Sequence, residues 1–553
     1  MSRPHPAHII TDDSAIGGSV IERSLVNAEG RSRYLTYTPS AAGDRRTFTL
    51  SGWFKLYVIN DSQQDFFWMC GGDGSNRFQI SREGVEQINF EPTSGGSDQA
   101  RFYTSNKFND PTAWMEFVDA TYKGGIMYPN WGKDGKTIYH PFGQYHFHTK
   151  DSNGGDFVIP FGDVLSANPD IDYASSLYFF PSLVKNRVEI DELSAYSEQL
   201  DCGKYVEFLM KEIKGSKGFT YINSTVENIN WDGEDITSLD LADGTKNEAD
   251  VFIDCTGFKR LLSEKREIVD FSGRLFVNTA VATRVQYIDK EKELHPYTTA
   301  TATDHGWIWE TPLTTRIGTG HVFNRHITDP EDAKECFVKH WDGRFKKEDL
   351  RVIHWDPCRI GKFWEGNVIN IGLSGGFIEP LESTGIGLII NGVELLEDCL
   401  IGGCYDYMDI DQYNLKMIND YETAVDFISM HYDYSHIQSP FWDHVRKTFK
   451  KSGFQKMMES SIMNPDYPTY KVLRHGFFGG HNWAIWLHQL MQKEGGYPAK
   501  KYFDNRVWRR ELIGRLQEMK RNANKGLPHL EALEYKPTLD ERMMSEESIR
   551  ALE

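Results

Sequence analysis

Two carboxylates on one short turn are the first residues in the sequence that could do chemistry. The stretch GGFIEPLESTGIGL (residues 375–388) holds Glu379 and Glu382, with Pro380 between them. A carboxylate held in a turn can exchange a proton with a reacting group. Pro380 prevents a helix before the turn, and the apolar run after it predicts a helix. The stretch is therefore either a catalytic turn or the start of a buried helix, whose first turn favours the charge of Glu382.

The start of this helix could also bind an anion. Ser383 or Thr384 can cap the helix, and the backbone N–H groups around Ser383, Thr384 and Gly385 would then point outward. Gly385 and Gly387 would allow another group to approach the backbone closely. The strand NVINIGL (367–373) leads into the turn, and open α/β sheets bind ligands at such strand ends.

A single lysine, Lys123, stands among aromatic and small residues in DATYKGGIMYPNW (119–131). Burying a lysine is costly unless the ammonium is paired. Next to Glu382 it would form a buried ion pair or a catalytic pair. The alternative is a surface lysine, which is the commoner situation for this residue type.

Two tryptophans lie two residues apart in DHGWIWETPL (304–313). On a strand, Trp307 and Trp309 would face the same side, and Pro312 would end the strand or place it at an edge. Two large aromatic rings on one face suit a wall between two compartments. A hydrophobic core face explains the same pattern.

The segment DVFIDCTGF (250–258) is typical of a strand that ends at a cofactor. A hairpin turning at Asp243-Gly244 precedes it, and the apolar residues VFID predict a buried strand. Gly257 would let a cofactor approach closely. Many flavoproteins return the chain toward the dinucleotide in this way, but other α/β strand ends look similar.

The predicted secondary structure that must position these residues changes along the chain from strands alone to a mixture of strands and helices. Residues 33–105 predict short strands joined by glycine-rich turns, including a half-buried strand at 48–56. Beyond residue 106 strands, loops and helices mix, with an amphipathic helix at 202–215. The domains expected are an all-β segment over 1–110, an α/β region over 111–404, a helical region over 405–530 and a tail over 531–553.

Composition argues against several classes of function. The net charge is −19 over 553 residues, which argues against a nucleic-acid partner because such proteins need a basic face. No apolar run is long enough for a membrane helix, and the N-terminus lacks the apolar core of a signal peptide. Seven cysteines without a CxxC pair or metal-ligand spacing predict no metal site, and they fit the reducing cytoplasm.

In their order along the chain, these stretches resemble the flavin-dependent halogenases, best known as tryptophan halogenases, over about residues 115–500. The matching motifs are DATYKGGIMYPNW, IYHPFG (138–143), FIDCTGF, WIWETP, FIEPLESTGI, and DFISMHY with PFW (426–442). Thr311 stands where the family has isoleucine. The resemblance implies an α/β (α+β) FAD-binding fold of the flavoprotein type with a mostly helical C-terminal region.

The resemblance also implies roles for individual residues. It places the catalytic lysine at Lys123 and the catalytic glutamate at Glu382. The other roles implied are halide contacts at Ser383, Thr384 and Gly385, flavin contacts at Thr256, Gly257, Thr384, Gly385 and Ile386, and a motif or substrate wall of Trp307, Trp309, Pro312, His140 and Trp483. Trp483 fits a core position at helical spacing equally well.

The chemistry implied uses FAD as FADH2, supplied by a separate flavin reductase, together with oxygen and a halide. Hypohalous acid would cross an aromatic-walled passage to Lys123, which delivers the halogen to a small electron-rich aromatic substrate. Glu382 would stabilise the positive charge formed there or take the arene proton. The implied protein is cytoplasmic, in the host cytoplasm if it is viral, and a homo-oligomer is compatible with it.

The N-terminal part departs from the family. The strand–GxGxxG–helix unit that would hold the FAD pyrophosphate is absent from the sequence. Residues 31–56, and the region of about 30–105 more broadly, instead resemble part of the laminin-G or concanavalin-like domains of phage structural proteins. The missing βαβ unit would leave a parallel sheet edge and apolar helix faces uncovered, unless residues 1–110 or a partner chain cover them.

Two other functions follow from this departure. The first is an inactive halogenase-like remnant in a viral glycan-binding or structural fusion protein. The second is a flavin monooxygenase that uses no halide, against which Lys123, Glu382 and WIWETP argue together.

Overall fold

The computed structural model of the chain describes its residues in ranges with gaps between them. These ranges are 64–70, 76–83, 87–94, 97–98, 102–103, 115–142, 146–150, 156–168, 170–171, 187–188, 197–214, 218–401, 407–469, 476–490, 500–522 and 526–534. The chain divides into two compact units, Met1–Asn109 and Asp110–Glu553. The strand expected at 48–56 and most of the expected tail lie outside the described residues.

The described part of the first unit is an antiparallel sheet. Its strands are β1 (Gln64–Cys70), β2 (Asn76–Glu83), β3 (Gln87–Ser94), β4 (Ser97–Asp98) and β5 (Phe102–Tyr103). Strand β2 lies between β1 and β3, and β4 and β5 both pair with β3. The glycine-rich sequence GGDGSN separates β1 from β2.

The second unit mixes strands with helices. Its first strands are β6 (Thr121–Lys123), β7 (Gly125–Tyr128), β8 (Ile138–Pro141), β9 (His146–Lys150), β10 (Asp156–Pro160), β11 (Arg187–Val188), β12 (Ser197–Gln199), β13 (Val226–Asp232), β14 (Asp235–Leu241), β15 (Lys246–Asn247) and β16 (Phe252–Asp254). Its later strands are β17 (Ile268–Asp270), β18 (Thr279–Val285), β19 (Thr298–Thr303), β20 (Gly306–Pro312), β21 (Ile317–Phe323), β22 (Arg351–His354), β23 (Cys358–Ile360), β24 (Trp364–Glu365), β25 (Val368–Asn370), β26 (Gly376–Phe377) and β27 (Leu527–Pro528).

Helices dominate the second unit after residue 384. The helices of the unit are α1 (Phe161–Ser166), α2 (Cys202–Ile213), α3 (Lys290–Glu293), α4 (Pro330–His340), α5 (Thr384–Ile401), α6 (Tyr407–Asp433), α7 (Pro440–Thr448), α8 (Gly453–Met463), α9 (Gly480–Leu490), α10 (Asn505–Asn522) and α11 (His529–Glu534). The helical C-terminal region predicted from the sequence is present. Helix α11 extends to Glu534, past the point where the tail was expected to begin. No helix among the described residues is long and apolar enough to cross a bilayer.

A seven-stranded sheet forms the centre of this unit, in the order β22-β18-β21-β20-β19-β7-β8. Its pairs are antiparallel except for β19 with β7. Alternation along β20 places Trp307 in the main core, which helices α6 to α9 complete, and Ile308 in a second core with Phe337 of α4. The sheet therefore holds the two tryptophans of WIWETP against the helical region.

A parallel strand pair positions the other motifs. Strands β16 and β25 pair from Phe252–Val368 to Asp254–Asn370, so their carboxyl ends lie side by side. The CTGF and GLSGG segments both leave from these ends, at the edge where open α/β sheets bind ligands. The strand VFID is only partly buried, because Ile253 is 47% exposed.

One apolar surface of this region is uncovered. Ile386, Ile389, Ile390 and Val393 of α5 are each between 38% and 49% exposed, at helical spacing. Among the described strands β16 pairs only with β25, so its other edge is open. An open strand edge and an exposed helix face were expected where no βαβ unit, N-terminal residue or partner chain covers them.

Candidate active site

The turn that precedes α5 begins the site. Pro380 accepts a hydrogen bond from the N–H of Ser383 at 3.0 Å, which closes the turn. Ser383 adopts a left-handed backbone with φ of 56°, an unusual conformation for a residue with a side chain. Neither hydroxyl caps the helix as the sequence suggested. The Ser383 hydroxyl accepts a hydrogen bond from Lys123, and Thr384 Oγ1 is buried with no partner among the described residues.

Lys123 on β6 is buried, with only 5% of its surface exposed. Its Nζ donates to Ser383 Oγ at 2.9 Å and lies 5.5 Å from the centre of the Phe142 ring. Loss of hydration lowers the pKa of Lys123 from 10.5 to about 8, although the charge of Glu382 acts in the opposite direction. The lysine predicted to pair with Glu382 therefore reaches the same turn through Ser383.

Glu382 is buried between two histidines. His140 Nδ1 lies 2.9 Å from Oε2, and His431 Nε2 lies 2.6 Å from Oε1. Burial alone would raise the pKa of Glu382, but the two imidazoles lower it below its usual range. His140 was implied by the resemblance and is in the site. His431 was not among the residues predicted from the sequence. It is a polar residue within a buried helical run, in the stretch DFISMHY.

The second carboxylate of the turn, Glu379, has a different environment. Its Oε1 accepts a hydrogen bond from the Tyr432 hydroxyl at 2.6 Å, and that hydroxyl accepts one from Trp307 Nε1 at 3.0 Å. Burial raises the pKa of Glu379 to about 8, so it is largely protonated at neutral pH. Its Oε2 has no partner among the described residues. The two carboxyls of one turn thus carry different charges.

Trp307 and Trp309 lie on one side of β20, as their spacing predicted, with ring centres 6.4 Å apart. Trp309 covers the backbone of Gly320, where an added Cβ would lie 2.0 Å from the indole. Pro312 ends the strand, and its carbonyl accepts a hydrogen bond from Thr121 at 2.7 Å. The chain from Trp307 through Tyr432 to Glu379 links this aromatic pair to the glutamate turn.

Trp483 lies in the hydrophobic core. It is fully buried on α9 and packs against Phe427 and Phe454, with ring centres 5.3 and 5.9 Å away. Trp486, one turn further along, has its ring centre 3.7 Å from that of His431. The structure therefore places Trp486 rather than Trp483 next to the histidine that contacts Glu382.

The residues assigned to a flavin lie at the ends of the parallel strand pair. Gly257 has φ of 72°, and a Cβ at Gly257 or Gly385 would meet no atom within 4 Å. The buried Thr384 Oγ1 lacks a partner, and Ile386 is 45% exposed. Thr256 Oγ1 donates to Asp254 Oδ1 at 2.7 Å, and its contact with a flavin stays a prediction. Open backbone, an unpaired hydroxyl and an apolar side chain fit a flat ring with polar edges.

The family model of tryptophan halogenases matches residues 108–488. The chain is 26% identical over 357 residues to the tryptophan 6-halogenase ThaL of Streptomyces albogriseolus, which is 60% of this chain and 66% of that protein. It is 27% identical over 373 residues to the tryptophan 7-halogenase RebH of Lentzea aerocolonigenes, which is 63% of this chain and 69% of that protein. The chain thus spans about two thirds of the length of these relatives.

Solved structures give the same result. The flavin-dependent halogenase Xcc4156 of Xanthomonas campestris superposes with a TM-score of 0.68 at 25% identity, covering 77% of this chain and 86% of that one. BrvH, a flavin-dependent halogenase of Brevundimonas sp. BAL3, shares the fold with a TM-score of 0.67 at 24% identity. The prediction of the family is confirmed, while the laminin-G resemblance of the N-terminal part stays a prediction. From residue 108 to residue 488, the chain belongs to the tryptophan halogenase family.

Proposed function

We propose that this protein is a flavin-dependent halogenase that uses reduced FAD, O2 and a halide to halogenate a small electron-rich aromatic compound. The observation that carries the proposal is the hydrogen bond from Lys123 to Ser383, because it joins residues 260 positions apart into one turn with Glu382. The names of two relatives, a tryptophan 6-halogenase and a tryptophan 7-halogenase, point to an indole-like substrate class.

Lys123 is the residue that delivers the halogen in this proposal. Its pKa of about 8 leaves part of the side chain as a neutral amine near neutral pH, and the remainder as a hydrogen-bonding ammonium. The amine can form a haloamine as the oxygen–halogen bond of hypohalous acid breaks and water leaves, and the ammonium can hydrogen-bond the intact acid. Burial keeps the oxidant away from bulk water, where it would react without selectivity.

The halide site proposed is the start of α5, formed by backbone groups of Ser383, Thr384 and Gly385. Helix N-termini attract anions, and the unpaired Thr384 hydroxyl can donate to one. Trp307 and Trp309 are the proposed wall of the site, and Trp307 reaches the glutamate turn through Tyr432 and Glu379. Glu382 is fixed on the substrate side, where a negative charge stabilises an arene that has gained the halogen.

FAD would be held by Gly257, Thr384, Gly385 and Ile386. Reduced FAD would supply two electrons to O2, and the halide would supply two more as it is oxidised to hypohalous acid. A separate flavin reductase provides FADH2, and the protein acts in the cytoplasm. Because the sequence has no GxGxxG turn, the pyrophosphate must be held by other groups than that motif. The inactive-remnant alternative is not favoured, because the lysine and the glutamate are both present and buried.

Two measurements test the proposal. Purified protein mixed with FAD and then desalted should keep a flavin absorbance band. With a flavin reductase, NADH and bromide it should brominate indole, and Lys123→Ala should abolish the product. The matched control is Lys362→Ala, since the Lys362 side chain is 65% exposed and its Nζ lies 3.8 Å from Glu365 Oε1. Absence of both flavin and product would refute the function, and an active Lys123→Ala would refute the role of the lysine.

A further inference from the structure

Both carboxylate oxygens of Glu382 contact imidazole nitrogens from other elements. His140 belongs to β8 and His431 to α6, with contacts of 2.9 and 2.6 Å. The side chains of Glu382 and His431 are 1% and 0% exposed. Water therefore does not satisfy these groups, and the protons in the two contacts can be assigned from the partners on the far side of each ring.

The far side of His431 fixes one proton. Its Nδ1 lies 2.8 Å from the backbone carbonyl oxygen of Phe427, which can only accept, so Nδ1 carries a hydrogen. In a neutral His431 the lone pair of Nε2 would then point at Oε1. Two lone pairs do not approach to 2.6 Å, so a further proton lies between Nε2 and Oε1. This contact is an imidazolium with a carboxylate, or an imidazole with a carboxylic acid.

His140 can hold a second proton but does not have to. Its Nε2 lies 2.9 Å from Oδ1 of Asn482. With the amide in this orientation Nε2 donates, and the contact between Nδ1 and Glu382 also needs a proton. If the side-chain amide of Asn482 is turned by 180°, its NH2 group donates to Nε2. A neutral His140 with its proton on Nδ1 then satisfies both Asn482 and Glu382. Glu382, His140 and His431 therefore share one required proton, between His431 and Glu382. A second proton can be held at His140.

We propose that Glu382, His140 and His431 act together as the proton acceptor of the halogenation proposed above, on which this inference rests. After the halogen has added to the ring, the C–H bond at that carbon breaks and its electron pair restores aromaticity. The proton enters at Glu382 and is held in the contact with His140, so the group gains one positive charge. His431 is a positioning residue, because it acts on the substrate only through Glu382.

Burial and neighbouring groups act on the pKa values of the two histidines in opposite directions. Burial lowers the pKa of His431, against the hydrogen bond and charge of Glu382. For His140 the effect of burial is outweighed by Glu382, which raises its pKa, while Lys123 from β6 opposes this. The other groups facing the cluster are Tyr128 from β7, which is close to both Glu382 and Glu379, and Trp486 from α9.

The proton between His431 and Glu382 can be tested without turnover. His321 is a matched control, because its Nδ1 lies 2.8 Å from the carbonyl oxygen of Ala333 while its Nε2 faces the Thr303 hydroxyl at 2.9 Å. A hydroxyl can donate, so His321 needs no second proton. In the ¹⁵N-histidine NMR spectrum of the full chain at pH 7, we expect a strongly downfield exchangeable proton at His431. Glu382→Gln should remove it and leave His321 unchanged. A wild-type His431 with the same spectrum as His321 would overturn the proposal.

The kinetic test uses indole, bromide and indole deuterated on its ring carbons. In His431→Gln, kcat should fall by about 10²-fold, the scale of general acid–base catalysis, and a primary isotope effect absent from the wild type should appear. His321→Gln should keep the wild-type rate. A slow His431→Gln without an isotope effect would show a structural role only and refute the proposal. If the wild type makes no product, the proposed function fails, and the NMR result still decides the shared proton.

Discussion

Replacing the buried Lys123 with methionine should stabilise the protein while abolishing halogenation. The pKa of Lys123 falls from 10.5 to about 8 because burial removes the hydration of its ammonium. A difference of 2.5 pKa units at 1.36 kcal/mol per unit means that folding pays about 3 kcal/mol to keep this group charged at pH 7. The lost hydrogen bond to Ser383 offsets about 1 kcal/mol of the gain. We expect Lys123→Met to raise the free energy of unfolding by about 2 kcal/mol at pH 7.

The pH dependence of this difference has a fixed sign. Below pH 8 the lysine is charged in both the folded and the unfolded chain, so the wild type bears the full cost of burial. Between pH 8 and 10.5 only the unfolded chain is still protonated, so the stability of the wild type rises relative to the variant. The advantage of Lys123→Met should therefore shrink as the pH approaches 10.

The assay is equilibrium urea unfolding followed by tryptophan fluorescence at pH 7, 8.5 and 10, with bromination of indole measured on the same samples. Lys362→Met is the control, because its side chain is 65% exposed and its substitution should change stability by less than about 0.5 kcal/mol. A variant that is less stable than the wild type at pH 7, or a difference that does not narrow toward pH 10, would refute the reasoning.

Three further predictions concern the glutamate turn, the tryptophan pair and the start of α5. Glu379→Gln should remove a loss of stability, on the order of 5 kcal/mol, that the wild type shows between pH 4.5 and 8, because the carboxyl ionises in the unfolded chain while the buried carboxyl stays protonated. Urea unfolding at pH 5 and 9 measures this loss. An equal change in the free energy of unfolding between these pH values for both proteins would contradict the prediction. Trp307→Phe removes the donor to Tyr432 and should cost about 1 kcal/mol or more in thermal unfolding, whereas an unchanged stability would argue against that link. Gly385→Val has open space for its side chain and should fold normally but retain less FAD after desalting, while Gly273→Val, equally open, should retain the wild-type amount. Equal retention by both variants would remove Gly385 from the flavin site.

Local patterns in the sequence predicted much of the structure. Alternation placed Trp307 and Trp309 on one side of a strand, and apolar periodicity predicted the helical region after residue 405. The lack of a GxGxxG turn in the sequence suggested an uncovered helix face and sheet edge, and in the described part of the chain α5 has exposed apolar side chains and β16 has an open edge. These features depend on residues close together in the chain, or on an element that the chain lacks, so they can be read without coordinates.

The sequence alone also identified the candidate catalytic residues, because the ordered motifs resemble those of a known family and point to Lys123 and Glu382. Only the tertiary structure decided what these residues contact. Lys123 reaches Ser383 across 260 positions, and Glu382 meets His140 and His431 across 242 and 49 positions. Glu379, three residues from Glu382, has a raised pKa instead of a lowered one. The physical reason is that burial and long-range hydrogen bonds set the charge of each group, and both depend on the packing of strands and helices that are distant in the chain.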